Sequence, residues 1–595
     1  MNGPRFRSDV AIIGGGPTGL TAAALLTKMG IDVQLFERRP EPGKLPRAHL
    51  NNLRTMEIFR SLGMAEKVYE LSPPEDRWHR VGWYTSLGGD RPGQRVEIGH
   101  LHAWGGGPDW NRYGIASPER FTNVPQIRLD PILLETVQAT APGRVHMNQE
   151  VTGIDQSEGP VRLTVLDRAT DETYEVEARY VVAADGGRLC ADLLGVDMDG
   201  PRRLRDMVSM HISADLKQWV QDDQVLLYYF IGPEGKGTFH GSACALGPDG
   251  WGSDSTEWVV HQSFAWGDPD AQDHENLVRR AMGILGLPDL TPTVHAVSHW
   301  EFEGVVAREY RAGNVFIAGN AAHRHPPTGG LGLNTGVQDA HNLAWKLAMV
   351  LQGKAGDRLL DTYHDERRPV GAFNVEHSLS NAQAHPRIAA ALGQNPEQSL
   401  DEGWAAIERF TSDTPEGAAM RKDVAAAVAA NSDDYSQLNV EIGFAYENGA
   451  VVSDGSRPPA THGSLREYTP TTRPGHHLPH AYLERDGVQI STLYVVDPTR
   501  LTLFTTPQAA GTWRESLRGT PGEALVTVLG IGPGGDFEDP TGAWHQLREV
   551  DPNGAVLVRP DWHVAWRAST NDQKSLEALP EVVAEVLRNR NAAQS

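Results

Sequence analysis

Residues 10–37 of the chain read VAIIGGGPTGLTAAALLTKMGIDVQLFE. In order, these letters give a short apolar run, a glycine-rich turn, a run of helix-forming residues, a second apolar run and one acidic residue. This pattern is typical of a buried strand, a helix and a second, parallel strand. The stretch therefore predicts a βαβ unit that ends in Glu37 and carries Gly14-x-Gly16-x-x-Gly19 in its first turn.

The three glycines of this turn have separate physical roles. Gly14 permits the tight turn after the strand, Gly16 lets the backbone approach a pyrophosphate, and Gly19 lets the helix pack against the strand. The N–H groups and the positive dipole end of the helix then face that pyrophosphate. Because Glu37 lies where a carboxylate accepts hydrogen bonds from a ribose, the unit predicts dinucleotide binding.

Composition excludes several classes of function. The 595 residues exceed a single hydrophobic core, and 77 acidic against 54 basic residues give a net charge of −23, which repels nucleic acids. Cys190 and Cys244 are too few for a disulfide framework, and His323 and His325 lack a third metal ligand at suitable spacing, so no metal is expected. No apolar leader or transmembrane run is present, which predicts a soluble cytoplasmic protein with no membrane partner.

Two further motifs follow apolar, strand-like runs, one at Asp185-Gly186 and one at Gly319-Asn320. After the second comes a loop rich in proline and glycine at residues 326–333, and a helical pattern is predicted from residue 334 to about residue 351. A loop that is rigid at proline and thin at glycine lets its backbone lie against a flat ring. The positive end of the helix would stabilise negative charge on that ring.

In this order, the three motifs resemble those of the class A, single-component flavoprotein aromatic hydroxylases. The resemblance covers residues 8 to about 380 and is closest to the branch of the 2,4-dichlorophenol 6-monooxygenases and phenol 2-monooxygenases. The C-terminal segments resemble the thioredoxin-like domain of the same branch. The segments that carry the branch resemblance are PRA (46–48), LRTME (53–57), RHPPTGGLGLN (324–334), DA (339–340), WKL (345–347), LVRPDW (557–562) and VAWR (564–567).

The resemblance implies an α/β fold with a Rossmann-type FAD-binding domain, an antiparallel-sheet substrate domain like that of p-hydroxybenzoate hydroxylase, and a thioredoxin-like C-terminal domain. The C-terminal domain has no CxxC, which excludes thiol redox chemistry there and favours a structural or oligomerisation role. The expected division is 1–72, 123–200 and 304–400 for FAD binding, 73–122 for strands inserted on the substrate side, 201–303 for the substrate sheet, 401–457 for a helical linker and 458–595 for the C-terminal domain.

By the same resemblance, the protein is expected to be an FAD-dependent monooxygenase that consumes NAD(P)H and O2. FAD would be bound tightly but not covalently, and NAD(P)H would bind transiently. The flavin C4a-hydroperoxide would hydroxylate a phenolic or hydroxypyridine-type ring ortho to its oxygen, in aromatic degradation or secondary-metabolite biosynthesis. The tryptophan-rich insert would line a roomy apolar pocket, and the apolar content of the C-terminal domain favours a homo-oligomer.

Residue roles carry over onto matching positions. Arg47 would approach the flavin or its phosphates, and Gln126 would hydrogen-bond the ribityl chain. The family's usual aspartate is replaced by Asn320, which keeps an acceptor oxygen, so FAD binding is still expected. The expected cofactor-binding residues are Gly14, Gly16, Pro17, Thr18, Gly19, Glu37, Arg38, Arg47, Gln126, Asp185, Asn320, Pro327, Gly330, Leu331, Gly332, Leu333 and Asn334. The candidate catalytic residues are Tyr228 and Tyr229, on a strand-like run of the substrate sheet, together with Asn51 and Pro327.

Two alternatives keep FAD but change the function. A non-catalytic or redox-sensing flavoprotein is favoured only by Asn320. A flavin halogenase or a Baeyer–Villiger oxygenase would carry Trp-x-Trp-x-Ile-Pro or Phe-x-Gly-x-x-x-His-x-x-x-Trp, and neither pattern occurs in the chain. Substrate-stimulated oxidation of NAD(P)H separates the hydroxylase from the redox sensor.

Overall fold

A computed structural model describes residues 4–187, 190–234 and 241–588. The predicted βαβ unit lies at the centre of a Rossmann sheet. With strands numbered in chain order, this sheet consists of β1 (Phe6–Ile13), β2 (Val33–Glu37), β7 (Val145–Met147), β8 (Gln149–Asp155), β9 (Val161–Asp167), β10 (Glu172–Ala183), β18 (Arg311–Ala312) and β19 (Val315–Ile317). Its order is β18-β19-β10-β1-β2-β7, and β8 and β9 continue from β10. Since β19, β10, β1 and β2 are parallel, their carboxyl ends share one edge.

Helices cover the Rossmann sheet and connect it to the rest of the chain. Helix α1 (Pro17–Lys28) packs against both α5 (Gln126–Thr140) and α8 (Leu331–Leu351). The helices are α1 (Pro17–Lys28), α2 (Leu53–Ser61), α3 (Ala65–Leu71), α4 (Trp110–Ala116), α5 (Gln126–Thr140), α6 (Cys190–Leu194), α7 (His274–Leu285), α8 (Leu331–Leu351), α9 (Thr362–Ala384), α10 (Pro386–Ala391), α11 (Leu400–Thr411), α12 (Pro415–Ala429), α13 (Leu438–Glu441), α14 (Pro507–Leu517), α15 (Gly522–Leu525), α16 (Ala543–Leu547) and α17 (Gln573–Val586).

An antiparallel sheet faces the Rossmann domain. Its strands are β4 (Arg80–Tyr84), β5 (Glu97–His102), β12 (Arg205–Ser213), β13 (Val225–Phe230), β14 (Gly241–Ala245), β15 (Glu257–Phe264) and β16 (Thr293–Phe302), in the order β16-β12-β15-β14-β13-β4-β5. The inserted segment 73–122 contributes β4 and β5, and β4 pairs with β13 in parallel. Helix α7 covers one face, where Gln262 Nε2 donates to the Leu277 carbonyl at 2.9 Å. Short pairings elsewhere join β3 (Leu50–Asn51) to β6 (Thr122–Asn123), and β11 (Met198–Asp199) and β20 (His323–Arg324) to β17 (Val305–Ala307).

The C-terminal region forms a smaller α/β unit. The hairpin β21 (Tyr482–Arg485) and β22 (Val488–Ser491) precedes a sheet of β23 (Leu501–Thr505), β24 (Val526–Gly530), β25 (Ala555–Val558) and β26 (Val564–Ala568). In the order β24-β23-β25-β26, β23 is parallel to β24 and the other pairs are antiparallel, a thioredoxin-like arrangement with α14 packed on α17. The predicted fold class is confirmed, whereas the exact domain boundaries stay a prediction.

Two predicted helices begin at other residues in the structure, and one predicted strand does not form. The sequence of residues 130–139 predicts a helix with Asp130 as N-cap and Pro131 at its first position. In the structure α5 begins at Gln126, because the carbonyl of Pro125 already accepts from the first-turn N–H groups and Pro131 is tolerated inside the helix. Helix α8 begins at Leu331, not at residue 334, because Gly330 takes the left-handed conformation (φ 61°) as its N-cap. The apolar, β-branched run at residues 492–496 predicts a strand, but this prediction is wrong, since these residues form turns after β22.

A buried charge network joins the C-terminal domain to the Rossmann domain. Glu366 of α9 accepts from Arg559 Nη1 and from Lys346 Nζ, each at 2.7 Å. Asp561 pairs with Arg559, and its carbonyl accepts from Arg54 of α2 at 2.6 Å. These five side chains are almost completely buried. The start of α2 and the C-terminal half of α8 are therefore held by residues of the C-terminal domain.

Three buried histidines around this network predict that acid destabilises the fold. Burial lowers the pKa of His341 and His477 below the usual value and lowers that of His563 to about 3. Below pH about 6.5 the unfolded chain therefore binds protons that the folded chain does not, and stability falls by up to about 1.4 kcal/mol per pH unit for His341 and for His563, with a contribution of the same sign from His477. Calorimetry from pH 7.5 to pH 5.0 should show a steadily falling Tm, and a Tm that stays constant over this range would contradict the assignment.

Candidate active site

Three predicted motifs meet because each follows the carboxyl end of a parallel strand. Gly14 follows β1, Asp185 follows β10 and Gly319 follows β19. A methyl group on Gly14 would overlap the Ala184 carbonyl, and one on Gly319 would overlap Thr18 Oγ1. Glycine at these two positions is therefore what allows the three turns to touch.

The first turn of α1 offers backbone donors at this meeting point. Its N-cap is Gly16, which supplies no side-chain cap, and Pro17 takes the first helical position. A Cβ on Gly16 would meet no described atom within 4 Å, whereas one on Gly19 would overlap the Gly14 carbonyl. The turn is closed towards the helix and open on its other side, which fits a pyrophosphate held by N–H groups.

Glu37 ends β2 at the same edge of the sheet, and its side chain is nearly buried. Oε2 accepts from the Gly15 N–H at 2.6 Å, and Oε1 accepts from Arg39 Nε at 2.7 Å. Burial alone would raise the pKa of Glu37, but these contacts lower it below the usual value. The group is therefore an anionic acceptor beside the phosphate turn, while its neighbour Arg38 is exposed.

Asn320 is exposed on the turn that follows β19. Behind this turn, the buried Asp339 of α8 accepts from the Gly319 N–H at 3.1 Å. The same carboxylate lies 2.7 Å from His323 Nε2 and 2.8 Å from Arg367 Nε. Sequence reasoning named Asp339 only as part of the resemblance, whereas the structure gives it the task of holding the turn in place.

The loop before α8 crosses in front of the Rossmann sheet. Pro327 is exposed, the Gly330 N–H donates to the Pro327 carbonyl at 3.0 Å, and Leu331, Gly332 and Leu333 open the helix. The loop is anchored from behind, because Gln437 Nε2 donates to the Gly329 carbonyl at 2.6 Å. Its backbone is thus fixed at the edge where the strands end.

Asn334, predicted to bind the cofactor, uses its side chain for protein contacts. Its Nδ2 donates to the Leu50 carbonyl at 3.0 Å, and its Oδ1 accepts from the Asn52 N–H at 2.9 Å and from Thr55 Oγ1 at 2.7 Å. Asn334 therefore ties α8 to the segment that contains Asn51. A direct contact of this side chain with the cofactor stays a prediction.

The opposite wall of the candidate site comes from β3, β6 and the start of α5. The Gln126 N–H donates to the Ala48 carbonyl at 2.9 Å, and its Nε2 donates to Asp130 Oδ2 at 3.2 Å. Arg47, the residue before Ala48, is exposed. Asn51 is fully buried, and its Nδ2 donates to Thr122 Oγ1 at 3.1 Å. These residues lie on neighbouring segments, as the resemblance implies.

Several buried atoms on these segments have no hydrogen-bond partner among the described residues. They are Asn51 Oδ1, Asn123 Nδ2 and Asp130 Oδ1. A flavin ring and its hydroxylated ribityl chain carry matching donors and acceptors. Together with the open face of the phosphate turn, these orphaned atoms show that the residues present fit FAD.

One row of the antiparallel sheet contains His261, which neighbours His49 on the flavin segments. The register pairs Ser209 with His261, His261 with Ser242, Ser242 with Tyr229, and Tyr229 with Trp83, so all five side chains share one face. This face is opposite to the one that α7 covers. It presents hydroxyl, imidazole and aromatic groups side by side.

The two candidate tyrosines lie on opposite faces of β13. Tyr229 belongs to the row, and its ring stacks on Trp83 with the centroids 5.6 Å apart and lies 4.9 Å from the ring of His385. Tyr228 lies in the core on the other face, where its hydroxyl donates to the Asp222 carbonyl at 3.3 Å. Strand alternation therefore brings Tyr229, but not Tyr228, to the side that faces the flavin segments.

His261 and His49 were missed by the sequence reasoning. His261 Nδ1 lies 2.7 Å from Ser209 Oγ, which also accepts from Trp300 Nε1 at 2.9 Å. Burial and the neighbouring His49 lower the pKa of His261 to about 4, so its imidazole is neutral near pH 7. His49 in turn bonds Asn123 Oδ1. Only the alternating pattern of β15 could have hinted at His261, since its pairing with Ser209 is a tertiary contact.

Other kinds of site are not seen. In the part of the chain that the structure describes, no three His, Cys, Asp or Glu side chains group as metal ligands. No described helix is both long and apolar enough to cross a membrane.

Comparison with known proteins places this geometry in a family. Residues 7–378 match the family described as FAD binding domain, and residues 471–588 match the family described as aromatic-ring hydroxylase, C-terminal. The predicted FAD cofactor is thereby confirmed, and NAD(P)H and O2 are the co-substrates of such enzymes.

Similar proteins cover the whole chain. A 2,4-dichlorophenol 6-monooxygenase from Cupriavidus pinatubonensis is 32% identical over 99% of this chain and 98% of its own. A phenol 2-monooxygenase from a Pseudomonas species is 32% identical over 96% and 91%. The crystal structure of the flavin-dependent monooxygenase PieE in complex with FAD and substrate has 38% identity and a TM-score of 0.91, covering 99% of this chain and 100% of that one. The halogenase, Baeyer–Villiger and non-catalytic alternatives are not favoured by these relatives. The chain belongs to the FAD-dependent aromatic-ring hydroxylases, and it is an aromatic monooxygenase.

Proposed function

We propose that this monooxygenase hydroxylates a phenolic or hydroxypyridine-type ring at the position ortho to its oxygen. The observation that carries the proposal is the row of Ser209, His261, Ser242, Tyr229 and Trp83, which turns polar and aromatic groups towards the flavin segments. The names of two relatives support it, because position 6 of 2,4-dichlorophenol and position 2 of phenol both adjoin the hydroxyl carbon.

In this proposal the side chains of the chain position the ring and handle its proton. Trp83 and Tyr229 form an aromatic wall against which the ring packs. His261, oriented by Ser209 and neutral near pH 7, accepts a hydrogen bond from the phenolic hydroxyl, which makes the ring more electron-rich. Bound FAD supplies the oxygen-activating chemistry, and the predicted cofactor residues from Gly14 to Asn334 hold it.

The proposal also includes the oligomeric state and the cellular location of the protein. A homo-oligomer is supported by Val488, whose side chain is 66% exposed on the β21–β22 hairpin of the C-terminal domain. A cytoplasmic location is supported by the composition, in which cysteine is rare.

The test of the function is a coupled assay. The purified, FAD-loaded protein is incubated in air with NADH or NADPH and a panel of phenols and hydroxypyridines. One ring class should accelerate NAD(P)H oxidation and give ortho-hydroxylated product in equal amount. If no ring in the panel accelerates oxidation or yields product, the proposal is overturned.

Replacing His261 with asparagine is expected to lower kcat by about 10²-fold near pH 7, because the phenolic hydroxyl then loses its imidazole hydrogen-bond acceptor. The loss should shrink as the pH approaches the phenol's own pKa of about 10, where the substrate is already ionised. The measurement is kcat against pH for His261→Asn.

The matched control is His299→Asn, which changes an exposed histidine on the other face of the same sheet and should leave kcat unchanged. A His261→Asn variant with the wild-type kcat and the wild-type pH profile would exclude this hydrogen-bonding role of His261.

A further inference from the structure

The insert lines a cavity of about 440 Å³, here called the insert cavity. Its aromatic walls come from the insert and from the C-terminal hairpin, namely Trp78, Trp104, Trp110, Tyr113, Phe121 and Tyr482. The volume lies in the range of small-molecule sites. The expectation that the tryptophan-rich insert lines the apolar substrate pocket stays a prediction, because charged residues also line the insert cavity.

The insert cavity is separate from the flavin site. No residue predicted to bind the cofactor or to act in catalysis is among the described residues that line it. Trp78 and Trp104 stack with their centroids 5.8 Å apart and form one wall. The Trp104 N–H donates to the Tyr435 carbonyl at 2.9 Å, and the Tyr435 ring lies 6.0 Å from that of Trp83 on the flavin-facing row. Two layers of aromatic rings thus divide the two sites.

The polar groups of the cavity favour an uncharged ligand. Arg60 is paired with Glu119 at 2.9 Å and also with Glu66, and Arg120 is paired with Glu75, so both guanidiniums are neutralised and the three carboxylates disfavour an anion. His79 lines the cavity, and its Nε2 is buried without a hydrogen-bond partner among the described residues. This nitrogen can bond one hydroxyl or carbonyl group of a ligand.

The glycines of the insert shape this cavity. A methyl on Gly106 would overlap the ring of His79, and a Cβ on Gly105 would lie 2.8 Å from the ring of Tyr113. At the mouth, Trp110 is 45% exposed, and a Cβ on Gly114 would meet no described atom within 4 Å. The walls are therefore close-packed while the entrance is open, as in a preformed ligand site.

We propose that the insert cavity is a second binding site for an uncharged, planar aromatic that bears one hydroxyl or carbonyl group. Flat rings would lie along Trp78 and Trp104, and the oxygen would bond His79 Nε2. Only the choice of a phenolic probe rests on the proposed function.

The test uses equilibrium dialysis of the full-length, FAD-loaded protein with 2-naphthol as the probe. Wild type should bind one equivalent that depends on Trp110, so that Trp110→Ala raises the Kd of this equivalent at least tenfold. The matched control is Trp266→Ala, since Trp266 is 44% exposed and does not line the insert cavity. This control should bind 2-naphthol as wild type does.

A second variant fills the cavity from its mouth. Gly114→Phe has room at its Cβ and should also abolish the Trp110-dependent equivalent. If both variants bind 2-naphthol with the wild-type Kd and stoichiometry, the second site is excluded. Binding is measured without turnover. A variant that loses the Trp110-dependent equivalent but still hydroxylates shows that the second site is distinct from the proposed function. If hydroxylation fails while this equivalent persists, only the proposed function is overturned.

Discussion

Replacement of Asp339 by alanine is expected to destabilise the protein by about 3–5 kcal/mol, because it leaves a buried guanidinium without its counter-ion. Arg367 and Asp339 are both fully buried and 2.8 Å apart. Burial alone would raise the pKa of Asp339, but His323 and Arg367 lower it to about 2, so the group is an anion at neutral pH. Its loss therefore removes a charge that the interior requires.

The same substitution should weaken FAD binding. Asp339 accepts from the Gly319 N–H, which fixes the turn that carries Asn320. Without this acceptor the turn loses its position beside the phosphate-binding helix. We expect the Kd for FAD to rise at least about tenfold, which corresponds to 1.4 kcal/mol.

Chemical denaturation and FAD titration of the refolded apoprotein measure the two effects. Asp357→Ala is the control, since Asp357 forms an ion pair with Arg311 but its side chain is 56% exposed. Such a pair contributes about 0–1 kcal/mol, so the control should stay close to wild type. If Asp339→Ala matches Asp357→Ala in both stability and FAD affinity, Asp339 does not have the role assigned here.

Replacement of Glu366 by alanine is expected to cost about 3–5 kcal/mol as well and to loosen the C-terminal domain. Glu366 accepts from both Arg559 Nη groups and from Lys346 Nζ, each at 2.7 Å. It also accepts from the Ala450 N–H at 2.8 Å and from Asn342 Nδ2 at 2.7 Å. One carboxylate therefore satisfies donors from three separate parts of the chain.

Calorimetry and limited proteolysis measure this effect. Residues 451–459 connect the domains without regular secondary structure, so proteases should cut there faster in Glu366→Ala. The control is Glu447→Ala. This substitution breaks a 3.0 Å ion pair with Arg473, and the side chain of Glu447 is 53% exposed.

A double variant checks the electrostatic cause. In Glu366→Ala/Lys346→Met the unpaired ammonium is also gone, so the double variant should be less destabilised than the sum of the two single variants. Strict additivity would contradict charge compensation between Glu366 and Lys346, and a Glu366→Ala variant that melts like wild type would contradict the role of Glu366 in holding the C-terminal domain.

The sequence alone was sufficient for features that depend on neighbouring residues. The apolar runs and the glycine spacing of residues 10–37 predicted the βαβ unit, and the three motifs in order predicted the FAD domain. These patterns are readable because strand alternation, helix formation and left-handed glycines are local properties of the backbone. Helix starts were predicted less well, since the first turns of α5 and α8 are set by Pro125 and Gly330.

Only the tertiary structure decided which side chains meet. Alternation puts Tyr228 and Tyr229 on opposite faces of β13, but the position of α7 decides which face is core. The pairing of His261 with Ser209, the use of Asn334 as a tie to β3, and the ion network of Glu366 with Arg559 join residues that are 52 to 284 positions apart. Such contacts follow from the packing of whole elements, which no local sequence pattern encodes.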